Sequence, residues 1–338
     1  MSEHQNPVLV EVCRGDAVES RHRGAAAVAD AGGRLVAAWG DVGRAVYPRS
    51  SLKPVQALAL VETGAWQAFG LGTEELALAA ASHSGSARHV AKVAAWLERL
   101  GLSDGDLECG AHPPMDADEA RGLMCSGRQP CPLHNNCSGK HTGFLTVARH
   151  LKIPTRGYIR PGHAVQRLVS QTIAEMSGHD LASTPCAVDG CGIPVHALPL
   201  AALATAMARM ARPDSLGPVR GAAAAALVAA MRAHPDLVAG SGRTCTEVMA
   251  KAPGIAVKGG AEGVYIAIVP DRGWGVAVKI DDGAGRAAEV AVLAVLRRLG
   301  VLAGEAAVAL AAHMRPPLHN VAGIVVGEIR AAAGWETP

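Results

Sequence analysis

The sequence predicts an α+β fold: one antiparallel sheet assembled from both chain ends, covered by helices, with a helical region beside it. Three observations carry this expectation. Apolar and β-branched runs of strand length gather near both ends, helical spacing fills the middle, and alanine-rich segments supply helices able to pack closely. The sheet is expected from about residues 7–48 and 252–338 and the helical region from about 49–251. Neither an internal repeat nor a linker divides the chain, so residues 1–338 read as a single catalytic unit.

In order, PVLVEVCRG, GAAAVAD and GRLVAAWG read as strands separated by charged or glycine-rich turns, with DAGGR a hairpin signal. From Ser51 the apolar spacing becomes helical. Segments near 51–64, 74–82 and 86–100 repeat at three and four, and ETGA and RLGLS supply glycine stops. Ser103 to Lys140 is dense in Gly, Pro, Cys and His, and a compact domain rarely carries so much irregular chain without a use for it. Helical patterns resume at 141–151, 161–178 and 199–233, where GAAAAALVAAMRAH reads as a packed helix on alanine's propensity. APGIAVKGG, GVYIAIV and WGVAVKI then form a meander turned by PDRG, a helix follows near 283–299, and NVAGIVVGEIR adds a last strand.

Composition narrows the class. With 49% hydrophobic but only 3% aromatic residues, the core must be built from Ala, Val, Leu and Ile. A net charge of +2, evenly spread, offers no basic stripe for nucleic acid. The longest apolar stretches carry charges or break too early to span a bilayer, so no membrane partner is expected. The opening MSEHQNPV is polar and lacks the apolar segment of a leader, which makes a cytoplasmic enzyme the expectation. A reducing compartment argues against a disulfide framework for the eight cysteines; buried packing and metal binding are the competing uses.

Candidate chemistry sits in four short segments. PRSSLKPVQ places Ser50 and Lys53 at i and i+3, on one helix face, which is the S-x-x-K arrangement of serine hydrolases that use lysine as base. A serine at a helix start has backbone N–H groups close by, and Pro54 falls where its missing N–H costs little. The lysine must be neutral to accept a proton, through burial or a second cation such as Arg49 or another lysine. ASHSG supplies Ser82 and Ser84 between two helices, readable also as an ordinary N-cap. VKGGAEGV ends a strand with Lys258, Gly259 and Gly260, readable also as a surface turn. HNNCSGKHTGF and CAVDGCGIPVH bring cysteines from two glycine-rich loops; with a nitrogen ligand they suit zinc, and chemistry alone nominates a histidine. The alternative is cysteines merely buried in tight loops.

Taken together, VESRHRG, RSSLKPVQ, ASHSG, NNCSGKHTGFL, DGCGIPVHALPL and KGGAEGV resemble the motifs of the asparaginase II family, the class 3, rhizobial-type L-asparaginases. The resemblance runs from about Val10 to the last strand. It implies a fold similar to serine β-lactamases and glutaminases, and hydrolysis of L-asparagine to L-aspartate and ammonia. It implies two Ser-Lys tandems, Ser50 with Lys53 and Ser82 with Lys258, and a Zn2+ site of two cysteines and a lysine. Those match Cys137, Lys140 and Cys191, so histidine yields to Lys140 as nitrogen ligand. Arg49, Ser84, His141, Asp189 and Gly260, in the same motifs, are the expected substrate-binding residues, and a homodimer is expected. Cys125, Cys131 and Cys186 receive no role. The rival readings are a glutaminase, a β-lactamase-like serine acyl hydrolase, and a zinc-binding protein that kept the fold without activity.

Overall fold

The computed structural model describes residues 5–335; part of the polar opening, and the last three residues of the expected sheet region, lie outside them. The described residues form two compact units, each discontinuous in sequence. One holds the chain up to Ser51, Leu198–Arg212 and everything from Glu247; the other holds Leu52–Ala197 and Pro213–Thr246.

The first unit contains the expected antiparallel sheet, eight strands among the described residues. Its order is Pro317–His319, Val325–Ala331, Val8–Arg14, Ala17–Asp30, Trp274–Ile280, Val264–Val269 and Ala256–Gly259, with Leu35–Trp39 also paired to Ala17–Asp30. The two chain ends meet where Val10 faces Ala331, and the join to the meander runs through Val28 facing Val276. Ala25 to Ala29 are buried at successive positions, so this part of the central strand is covered on both faces. The helices Leu200–Ala211 and Gly285–Arg298 pack on these strands. The first comes close because Gly275 has no side chain: a Cβ there would lie 2.1 Å from Ala204 O. Trp335 packs beside the strand Val8–Arg14, donating its indole N–H to Leu9 O at 2.6 Å and meeting Trp39 edge-on.

The second unit is helical around Ser138–His150, which is buried from Ser138 through Ala148. Thr73–Ala79, Leu58–Glu62, Ala65–Ala68, Ala87–Arg99 and Ala164–Ser177 all pack against it. A helix surrounded in this way needs no polar face, which explains the run of small and apolar residues after Lys140. The unit also carries a short hairpin, Cys186–Val188 with Pro194–His196.

Three expectations need adjusting. The helix expected over 51–64 begins as a 3₁₀ turn at Arg49–Leu52 and is interrupted between Lys53–Gln56 and Leu58–Glu62. The 199–233 segment is two helices, because Pro213 and Pro218 cannot sit in a helix interior. Within 103–140, Ala117–Cys125 is helical; Asp116 caps it by accepting the Glu119 N–H at 3.0 Å. Among the described residues no helix is long and apolar enough to cross a membrane.

Candidate functional site

In the sheet-bearing unit, the turn after Pro48 carries Arg49 and Ser50. Arg49 adopts a left-handed φ of 51°, a strained conformation for a non-glycine residue. Ser50 is half-buried, while Ser51 is buried and spends its hydroxyl on Pro48 O at 2.6 Å, tightening the turn. The strand end Lys258-Gly259-Gly260 lies against this turn. A Cβ on Gly260 would stand 2.9 Å from Pro48 O and 3.0 Å from Ser51 N, so only glycine permits that approach. Lys258 is 2% exposed and donates to Gly259 O at 2.6 Å. The structure therefore brings Ser50, Arg49, Lys258 and Gly260 into one neighbourhood of this unit.

In the helical unit, Lys53 is 1% exposed at the start of Lys53–Gln56. Its Nζ donates to Ser82 Oγ at 2.9 Å, to Ala81 O, and to Asn136 O at 3.4 Å. Burial holds this amine below its ordinary pKa of 10.5, and the Lys140 ammonium pushes the same way against the opposing charge of the cysteines. A neutral amine keeps two N–H bonds for the carbonyls and turns its lone pair toward the Ser82 hydroxyl. That is the geometry of a proton transfer between oxygen and nitrogen.

Beside it lie Cys137, Lys140, Cys191 and Asp189. Lys140 donates to Cys191 Sγ at 3.1 Å. Cys137 donates its S–H to Cys191, and this bond, helped by Lys140 and Lys53, lowers the Cys191 thiol to about 5. The same bond together with burial pushes Cys137 up to about 12. Burial disfavours charge on Lys140, but the Cys191 and Cys137 sulfurs and the Asp189 carboxylate outweigh it and raise its pKa. Asn135 aims Cys137 by accepting its backbone N–H at 2.8 Å. Asp189 shapes the hairpin tip: its carboxylate takes the Gly190 N–H and its backbone bonds to Ile193 and Gly192.

Among the described residues no group of three His, Cys, Asp or Glu side chains gathers as a metal site. What gathers is two thiols and an amine, a donor set whose chemistry fits a soft divalent cation such as Zn2+. His141, the neighbour of Lys140, is committed elsewhere. Its Nδ1 is 2.7 Å from the Tyr158 hydroxyl, which accepts the Glu108 N–H at 2.9 Å. Burial and the nearby Lys140 keep its imidazole well below its ordinary 6.5.

Two expected substrate-binding residues show a shared feature. Ser84 Oγ and His141 Nε2 are buried with no hydrogen-bond partner, as are atoms of His22, Trp96 and His196. Buried polar atoms are ordinarily paired, so two orphans within one polar cluster set Ser84 and His141 apart from their neighbours. His83, Ser138, Asn135, Asn136 and Tyr158 hold this cluster, and the sequence by itself assigns none of them a role. Four of them lie inside the quoted motifs and were legible as polar side chains beside the cysteines and serines; Tyr158 carries no local signal.

A buried amine set on a serine hydroxyl suits enzymes that attack a carbonyl carbon with oxygen, and comparison with known proteins puts the chain among amidohydrolases. The profile of the L-asparaginase II family matches residues 10–331, nearly the whole length, and the chain belongs to that family. No curated protein matched it. Solved structures are similar at low identity. A β-lactamase from Mycobacterium bovis is 17% identical, with 81% of this chain and 94% of that one covered at a TM-score of 0.44. Mglu in its native form in the presence of 4.3 M NaCl is 16% identical, with 84% and 63% covered at 0.36. Mglu in its tris and glutamate form is also 16% identical, with 88% and 64% covered at 0.38. The chain spans less than two thirds of the Mglu chain's length.

Proposed function

We propose that this amidohydrolase converts L-asparagine to L-aspartate and ammonia through an aspartyl-enzyme ester. The observation that carries the reading is the Lys53–Ser82 bond, made by a buried lysine whose basicity is depressed. In the first half-reaction Ser50 Oγ gives its proton to neutral Lys53 and bonds to the side-chain carbonyl carbon. The C–N bond then breaks, and the departing nitrogen takes a proton to leave as ammonia. In the second half water adds to the ester, returns a proton to the base, and frees aspartate and the serine. Ser82, on Lys53, relays or holds that proton, while Lys258 contributes charge near the leaving group.

Asp189 holds the substrate α-ammonium group, and the orphan atoms of Ser84 and His141 bond to its polar groups. Arg49 neutralises the α-carboxylate, and the closely packed Gly260 leaves backbone free to face the substrate. Cys137, Lys140 and Cys191 would hold Zn2+, which when bound organises the two glycine-rich loops. The serine and lysine supply nucleophile and base. The reading extends to a cytoplasmic homodimer, checked by sedimentation and fractionation.

The test is ammonia release from L-asparagine, with L-glutamine and a β-lactam as comparators and with zinc removed and restored. Turnover of asparagine well above the other two supports the assignment. Equal or greater turnover of glutamine reassigns the enzyme as a glutaminase, since one methylene separates the substrates. Absence of turnover on all three rejects it.

A further inference from the structure

We propose that His83 is a positioning residue that holds Ser82 on Lys53 by tying the Ser82 loop to the start of the Cys137 helix; its catalytic half rests on the function proposed above. His83 is fully buried, and both ring nitrogens are engaged. Nδ1 accepts the Gly85 N–H at 3.1 Å, which fixes the ring proton on Nε2. Nε2 therefore donates to Ser138 Oγ at 2.8 Å, and the Ser138 hydroxyl in turn donates to Leu133 O at 3.0 Å. The backbone repeats the link, His83 N donating to Asn136 O at 3.2 Å.

Asn136 O is also an acceptor for Lys53 Nζ, so one carbonyl serves both the tether and the base. His89 stacks on the other side of the ring, centroids 4.8 Å apart, and is itself pinned by Ser86 and Asp236 O. Ser82 follows this frame, with its own N–H on Val238 O at 2.9 Å. A buried imidazole locked in one tautomer, one residue from the serine and bonded across to another loop, fixes a hydroxyl more narrowly than a loop backbone alone.

Two substitutions separate the tether from local loop structure. His83→Gln keeps a donor at the Nε2 position and loses the acceptor for Gly85; His83→Asn keeps that acceptor and cannot reach Ser138. Ser138→Ala removes one oxygen and tests the same bond with less risk to folding. We expect His83→Gln to keep kcat within about threefold. His83→Asn and Ser138→Ala should each lose about 30-fold in kcat with KM within about twofold, and the double variant should lose no more than either. Amide hydrogen exchange at Ser82 and His83 should quicken in His83→Asn and Ser138→Ala and not in His83→Gln. Equal kcat in the Asn and Gln variants, losses that multiply, or exchange unchanged in Ser138→Ala would overturn the proposal. If the wild-type protein releases no ammonia from any amide tried, the proposed function fails separately. The exchange pattern then decides the tether by itself.

Discussion

Lys53 Nζ and Ser82 Oγ are 2.9 Å apart, and the same amine also bonds to Ala81 O and Asn136 O. Three acceptors around one nitrogen satisfy an ammonium fully. Burial nevertheless works against the charge and lowers the pKa of Lys53 from its ordinary 10.5.

The activity should rise with pH as Lys53 loses its proton. Its pKa is lowered from 10.5, so kcat/KM should reach its plateau below that pH. Lys53→Met should cost about 10²–10⁴-fold in kcat, the usual span for a general base. The check is the pH–rate profile of both proteins; the same rising limb in Lys53→Met would count against Lys53 as the base.

The ester should form on Ser50. Intact-mass and peptide analysis after acid quenching of a reaction with asparagine should find the added aspartyl group on the peptide containing Ser50. Ser82→Ala should still show it at reduced rate. An adduct that persists in Ser50→Ala moves the nucleophile elsewhere.

Zinc binding should release protons. At neutral pH Cys191, at about 5, is already a thiolate, whereas Cys137 at about 12 and the raised Lys140 still carry theirs. Loading should therefore expel about two protons per ion, and affinity should climb with pH. Titration calorimetry in buffers of different ionisation enthalpy reads this number directly. Cys137→Ser should raise KM about tenfold with a smaller fall in kcat, the pattern of lost uniform binding. Collapse of kcat on metal removal with the fold intact would make the metal catalytic.

Gly260→Ala tests the packing of the strand end on the Ser50 turn. Its Cβ would meet Pro48 O at 2.9 Å, and backbone must give way. Stability should fall by about 1–2 kcal/mol while kcat/KM drops about tenfold, because the displaced backbone includes the serine turn. Unaltered kinetics would separate this contact from the chemistry.

Acid should destabilise the fold through His83 and His141. Both imidazoles are held well below 6.5 chiefly by burial. Below pH 6.5 the unfolded chain binds protons there that the folded one refuses, so stability falls as pH drops from that value. Urea midpoints at pH 7.5 and 5.0 measure it. An equal midpoint at both would contradict the assignment.

Period and punctuation made the sheet readable from sequence: GVYIAIV and WGVAVKI are strands where expected, and DAGGR turns as a hairpin with Asp30 N on Arg34 O. The Ala117–Cys125 helix was missed although Asp116 and Glu119 have capping spacing, because the surrounding glycines and prolines masked it. The site was legible as residue types but not as partnerships. Spacing pairs Lys53 with Ser50; the contact with Ser82 depends on tertiary packing that brings Ala81 and Ser82 to the amine. Likewise nothing local in the hairpin sequence says that Cys191 should accept a hydrogen bond from the Cys137 thiol.

The strand Ala17–Asp30 pairs with Val8–Arg14, made moments earlier, with Leu35–Trp39, made just after, and with Trp274–Ile280, about 250 residues later. At a synthesis rate of roughly 5–20 residues per second, the N-terminal hairpin waits tens of seconds with an apolar edge unpaired. The Leu52–Ala197 helices are complete well before that edge is covered. Synthesis thus completes the N-terminal hairpin first, the helices next and the closing strands last, and a ribosome stalled before Trp274 would leave an apolar strand edge unpaired.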